Sequence, residues 1–103
     1  MREILLSGRD WSQPDDFYRA LLGELGAPEW HGHNLDALWD SITGSGINEV
    51  NPPFRITITG IEVMPPNCRL MVEHFESLIR EAKRSGYPVE ISCGDPQLPG
   101  TSI

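Results

Sequence analysis

Pro28-Glu29-Trp30-His31-Gly32-His33-Asn34-Leu35-Asp36-Ala37-Leu38-Trp39-Asp40-Ser41-Ile42-Thr43-Gly44 encloses a short helix between a start signal and a stop signal. Asn34 is suited to cap it by accepting a hydrogen bond from a free amide of the first turn, and Asp36 places favourable negative charge there. Gly44 is read as a left-handed stop. The helix so bounded has about three turns. At about 100° per residue, Leu35, Leu38 and Ile42 fall within an arc of about 60°, a narrow apolar stripe that must pack on the rest of the chain. Trp39, Thr43, Asp36 and Asp40 follow around the helix, so an indole borders the core and two acids one turn apart lie beyond it.

Those acids repel by about 0.2–0.5 kcal/mol on an isolated helix. The nearest basic residues in sequence, Arg19 and Arg55, lie outside the segment. The face is therefore either an ordinary solvated acidic surface or one built for neutralisation by a cationic partner.

On the N-terminal side, Ser12-Gln13-Pro14-Asp15 reads as a capping box with Asp15 in place of the usual Glu, opening a helix from Pro14 to Leu25 that Gly26 ends. Phe17, Leu21 and Leu25 mark its buried stripe. Before it, Arg2 to Ser7 carries Ile4, Leu5 and Leu6 in succession, the pattern of a strand covered on both faces and hence central in its sheet. Trp30 and His31 are read as loop residues.

On the C-terminal side, Gly44 to Pro53 is an irregular connection. Phe54 to Thr59 alternates apolar and polar, as a flanking strand does. Asn67 is a candidate cap for a long helix ending at Gly86, with Met71, Phe75, Leu78, Ile79 and Ala82 buried and Glu76 paired to Arg80 on the wet side. Glu81 stands apart from that pair, near the margin of the apolar stripe. Pro88 to Cys93 alternates again as a third strand, and residues 94–103 form a loosely held tail. The order strand, helix, short helix, strand, helix, strand implies one α/β domain over residues 1–93, a small three-stranded parallel sheet packed with helices.

A chain of 103 residues with net charge −7 holds a single core and favours a basic partner, because phosphate binding needs concentrated Lys and Arg that eight scattered residues do not provide. Nucleic acid and membrane are therefore not expected as direct partners, and no cofactor is implied. Cys68 and Cys93 lack metal-type spacing and read as reduced thiols, and the N-terminal apolar stretch is too short for a signal peptide, so a cytoplasmic chain is expected.

The run His33 to Asp40, followed by Thr43-Gly44, resembles the signature of the barstar family, small intracellular inhibitors of secreted bacterial ribonucleases. Arg80-Glu81-Ala82-Lys83 before Gly86 is a second point of likeness, and the resemblance spans residues 2–93. It implies a barstar-like α/β fold and a ribonuclease inhibitor or immunity protein, with Asp40 taking the place of a substrate phosphate among the enzyme's basic residues. By the same residue-by-residue match, Trp30, Gly32, Asn34, Leu35, Asp36, Trp39, Thr43, Gly44 and Glu81 fall on contact positions. The partner so implied is a basic extracellular or toxin-type ribonuclease, bound one to one by a chain that is monomeric when free. The chain departs from the family pattern at His31, where a second aromatic is common, at His33 and Ser85, which replace acids, and at Ser45, which replaces an aromatic.

Three other readings stand beside this one. His31, His33 and His74 lack the spacing of a zinc site. Asp36 and Asp40 on one exposed face offer no evident pocket for acid–base hydrolysis, and no Ser sits in a nucleophile elbow. A barstar fold used as a non-inhibitory binding module for another basic protein stays open.

Overall fold

The computed structural model describes residues 1–44 and 46–94, so Ser45 and the tail beyond Gly94 lie outside the described residues. In chain order the elements are β1 (Arg2–Ser7), α1 (Pro14–Leu25), α2 (Leu35–Thr43), β2 (Phe54–Thr59), a single 3-10 turn (Ile61–Val63), α3 (Pro66–Arg84) and β3 (Val89–Cys93). The strands form one parallel sheet in the order β1-β2-β3. Both crossovers step the same way across the sheet, and a common hand sets their helices on one face.

The α/β class and the parallel sheet are as the sequence implies, but the placement of β1 is corrected: β2 is central and β1 lies at an edge. The run Ile4-Leu5-Leu6 mimics a strand covered on both faces, yet only Ile4 and Leu6 are buried, while Leu5 is 67% exposed. In β2 the reverse holds. Its inward Phe54, Ile56 and Ile58 are buried, and so is Thr57 on the other face, a residue whose polarity disguises the central position. On the open face the in-register row Glu3, Arg55 and Glu90 is bridged by Arg55 at 3.1 and 3.2 Å, a cross-strand charge ladder that holds register.

Helix α1 begins as Pro14 and the following acids dictate, but the capping carboxylate is Asp16 and not Asp15. The helix is entered from Gln13, which makes Asp16 the third helical residue, and its Oδ2 accepts from the backbone N–H of Ser12 at 2.8 Å and of Gln13 at 3.2 Å. Asp15 instead faces Arg19 at 3.4 Å and His33 at 2.5 Å. The Ser12 N–H bond is the largest cause holding the Asp16 carboxyl below its ordinary value, ahead of an opposing desolvation, with Gln13 and Arg19 adding to it. A depressed carboxylate adds stability that is complete above its unfolded value and is lost as pH falls through the folded one. Asp16→Ala is therefore expected to lower the melting temperature at neutral pH, with the gap to wild type closing below about pH 4. Thermal melts by circular dichroism across that range check it.

The C-terminal Gly26 of α1 does adopt the left-handed conformation, with φ +66°. Gly44 does not: its φ of −94° is extended backbone, and the left-handed stop is corrected. Glycine is required there for a different reason. A Cβ at 44 would come within 2.7 Å of the Asp40 carbonyl oxygen, which accepts the Gly44 N–H at 2.8 Å. Helix α3 starts at Pro66, earlier than a cap at Asn67 would allow, because proline fits the first helical position and Pro65 leads into it. Asn67 accepts from the Cys68 N–H at 2.9 Å.

The core lies between the helices and the sheet. Phe17 of α1 and Phe75 of α3 meet edge to face with centroids 5.0 Å apart, Trp11 adds a further edge contact to Phe17, and Leu21, Leu25, Leu38 and Ile79 close around them. Cys68, Val72, Phe75, Ile79 and Ala82 form the fully buried stripe of α3, with Met71 and Leu78 half-buried at its margin. Arg80 pairs with Glu76 at 3.1 Å on the wet side. Both cysteines are free, and burial first, then the charge of Glu76, pushes the Cys93 thiol up to about 12. Among the described residues no helix is long and apolar enough to cross a membrane.

Candidate functional site

Asn34 caps α2 as its position requires, its Oδ1 accepting from the Ala37 N–H at 2.7 Å. That bond fixes where the helix begins and so which way its faces turn. Leu38 and Ile42 are buried and Leu35 and Trp39 half-buried against the core, leaving Asp36 and Asp40 exposed. Thr43, at the last turn, donates to the Trp39 carbonyl at 2.7 Å. Helix α2 packs on α3.

The loop before α2 carries Trp30, 75% exposed. Gly32 follows closely packed, since a Cβ there would lie 2.9 Å from the Asn34 side-chain nitrogen. Trp30, Gly32, Ala37, Asp40 and Ile47 line a concavity of about 170 Å³, with His31 and Ser41 in its wall. At about 100° per residue, Asp40, Ala37 and Ser41 succeed one another around α2, so this side of the helix meets the loop while Asp36 continues the acidic edge outward.

Charge pairing covers only part of the acidic surface, and among the described residues Asp10, Glu24, Glu29, Glu49, Glu62 and Glu73 have no cation within 4 Å. Asp15 and Asp16 share Arg19, Glu3 and Glu90 share Arg55, and Glu76 holds Arg80. Among the described residues neither Asp36 nor Asp40 has a cation within 4 Å. A folded chain of net charge −7 thus leaves two carboxylates, one turn apart, without internal neutralisation beside an exposed indole. Such a surface suits a cationic cleft with an aromatic at its edge.

Of the residues singled out in the sequence, the structure gathers Trp30, Gly32, Asn34, Leu35, Asp36, Trp39, Asp40, Thr43 and Gly44 on one helix and its leading loop. Glu81 sits on α3, exposed, with its carboxylate on Arg84 at 2.9 Å, so it does not share the unpaired state of the other two acids.

Sequence reasoning named His31 but missed Ser41 and the pairing of the two. His31 is 6% exposed, its Nε2 2.9 Å from the Ser41 Oγ and its Nδ1 2.8 Å from the Gly32 carbonyl oxygen. The available signal is Ser41 itself, a polar residue beside Leu38 on the packed side of a helix, which demands a buried partner. A hydroxyl–imidazole pair has the outline of an activated nucleophile, but Ser41 is 2% exposed and also lies 3.2 Å from the Leu38 carbonyl oxygen, so no substrate atom reaches it. His33 bonds Asp15 of α1, so the two loop histidines turn to different helices and do not converge on a common ligand.

A family model described as Barstar (barnase inhibitor) matches residues 1–94. Among curated proteins the chain is similar to YrdF of Bacillus subtilis (strain 168), whose name marks it as a candidate ribonuclease inhibitor. The two are 43% identical over 44 residues, which cover 43% of this chain and 48% of that protein. The match thus spans about half the length of that relative.

Proposed function

The chain belongs to the barstar family, and on that premise we propose that it inhibits a basic ribonuclease by seating α2 and the Trp30–Asn34 loop across the enzyme's active site. The observation that carries this reading is the placement of Asp36 and Asp40, neither with a cation within 4 Å among the described residues, one turn apart on one helix face beside the exposed Trp30. A ribonuclease cleft concentrates cations to hold phosphate, and Asp40 presents an anion to it from a rigid helix. Trp30 and the half-buried Trp39 supply apolar area beside the charges, and Gly32 keeps the loop close to the helix. Asn34, Leu35, Thr43 and Gly44 shape the same face, and Glu81 of α3 adds an acid at its margin. The reading includes one inhibitor per enzyme, a monomeric and non-catalytic free chain, and a cytoplasmic site of action against an extracellular or toxin-type nuclease.

The test is inhibition of barnase, the enzyme in the family's description. Purified chain is expected to abolish its RNA hydrolysis and to hydrolyse no RNA itself. Binding without loss of hydrolysis would favour the binding-module alternative.

Electrostatic capture has its own signature. With net charge −7 against a basic enzyme, the association rate is expected to fall about tenfold or more as the screening length drops from about 30 Å at 0.01 M salt to about 8 Å at 0.15 M, while dissociation changes less. Stopped-flow fluorescence at the two salt concentrations measures both. An association rate indifferent to salt would count against capture by the acidic face.

A further inference from the structure

We propose that His31 and Ser41 form a latch that sets the conformation of the Trp30–Asn34 loop, which makes His31 a positioning residue for the partner-binding face. The claim that this face binds a ribonuclease rests on the reading above, whereas the latch itself is a property of the free chain.

The loop has no regular secondary structure to hold it, and its first residue, Trp30, is 75% exposed. The next residue is 6% exposed, a polar ring taken out of water in the middle of a surface loop. Such a ring is tolerated only when its nitrogens are bonded. Both are. The Gly32 carbonyl can only accept, so Nδ1 carries a hydrogen and donates to it across 2.8 Å. Nε2 meets the Ser41 hydroxyl at 2.9 Å, ten residues further along the chain and on the buried side of α2.

The Ser41 hydroxyl has a second partner in the Leu38 carbonyl at 3.2 Å. With a neutral ring the hydroxyl donates to Nε2. With a charged ring Nε2 donates to the hydroxyl oxygen, and the hydroxyl hydrogen turns to Leu38. The His31–Ser41 bond is therefore kept in either protonation state.

A second tie lies two residues on. His33 bonds Asp15 at 2.5 Å and stacks on Tyr18 with centroids 5.8 Å apart and planes 19° from parallel. The loop is thus fastened to α2 through His31 and to α1 through His33, and Gly32 between them uses its own carbonyl in the latch. Trp30, Gly32 and Asp40 line the same concavity as the latched pair, so the latch sets the spacing of the indole from the carboxylate. Fixing that geometry before encounter removes an ordering cost from binding.

Ser41→Ala and His31→Phe in the full chain test this by residue-resolved amide exchange and by binding to barnase. Ser41→Ala removes only one oxygen from a buried helix position, and it keeps the test available should His31→Phe fold poorly. The expected result is exchange about tenfold faster at residues 31–34, with Ile56 and Ile79 in the core unchanged, and affinity weakened about three- to tenfold. Asp40→Ala should lose binding with loop exchange as in wild type. Unchanged loop exchange in Ser41→Ala overturns the proposal, and so does faster loop exchange with wild-type affinity. A wild-type chain that leaves barnase unbound would sink the inhibitor reading instead, while the exchange measurement still decides the latch.

Discussion

Asp40→Ala is expected to weaken ribonuclease binding by about 2–5 kcal/mol, more than any other single acid change, with most of the loss in dissociation. That range draws on comparable interfaces, the barnase–barstar pair among them. The size follows from what truncation leaves behind. A carboxylate seated among catalytic cations is desolvated with them, and its removal strands those cations in the interface without water or partner. Asp36→Ala should have a smaller effect because Asp36 lies further along the acidic edge, away from the concavity that Asp40 lines. Glu81→Ala should also rank below Asp40→Ala, since its carboxylate already holds Arg84 and must exchange that contact for a new one.

Stability should move the other way. In the free chain Asp40 faces a like charge one turn back and sits in the last turns of α2, where the helix dipole disfavours an anion. Alanine removes both penalties, so the variant should melt at or slightly above the wild-type temperature. Isothermal titration with barnase and thermal melts on the same preparations separate the two effects, and Asp16→Ala, which lowers stability from the start of α1, is the control of opposite sign.

Phe75→Ala should have the largest effect on the fold, a loss of about 3–5 kcal/mol. The ring is fully buried and meets Phe17 edge to face at 5.0 Å, so its removal takes away transfer energy, leaves a cavity and breaks the contact that joins α3 to α1. For a domain of this size that corresponds to about 15 °C or more in melting temperature. Because α2 packs on α3, affinity should fall only as far as the folded fraction falls, and excess ribonuclease should recover part of the lost melting temperature by mass action. A drop below about 1 kcal/mol in urea unfolding would mean that Phe75 is not central to the core.

The parts of the fold that were legible in the sequence are those set by local chemistry. Pro14 and Gly26 bracket α1, Asn34 caps α2, and β2 and β3 carry their own alternation. What was not legible depends on neighbours distant in sequence. Three successive apolar residues in β1 suggest burial on both faces, but Leu5 is left exposed because no element covers that side of an edge strand, whereas central β2 buries a threonine. Asp15 and Asp16 are equally plausible caps until the entry residue is known, and Gln13 selects Asp16. Gly44 invites the left-handed reading, and only the carbonyl of Asp40, brought close by the helix turn, reveals that space and not φ demands glycine.

The site divides in the same way. Asp36, Asp40 and Trp39 declare themselves by helical spacing. Glu81 was singled out by its place at the margin of the apolar stripe and by the match to a family pattern. The pairing of His31 with Ser41 was passed over because the bond spans ten positions that no short periodicity links.

The most direct measurement is a titration of the purified chain into barnase at enzyme concentrations well above the dissociation constant, following RNA hydrolysis. Inhibition through the acidic face predicts activity falling linearly to zero at equimolar chain, with Asp40→Ala needing a large excess to do the same. Full hydrolysis in the presence of excess wild-type chain, or equal inhibition by wild type and Asp40→Ala when repeated at enzyme concentrations near the dissociation constant, would contradict it.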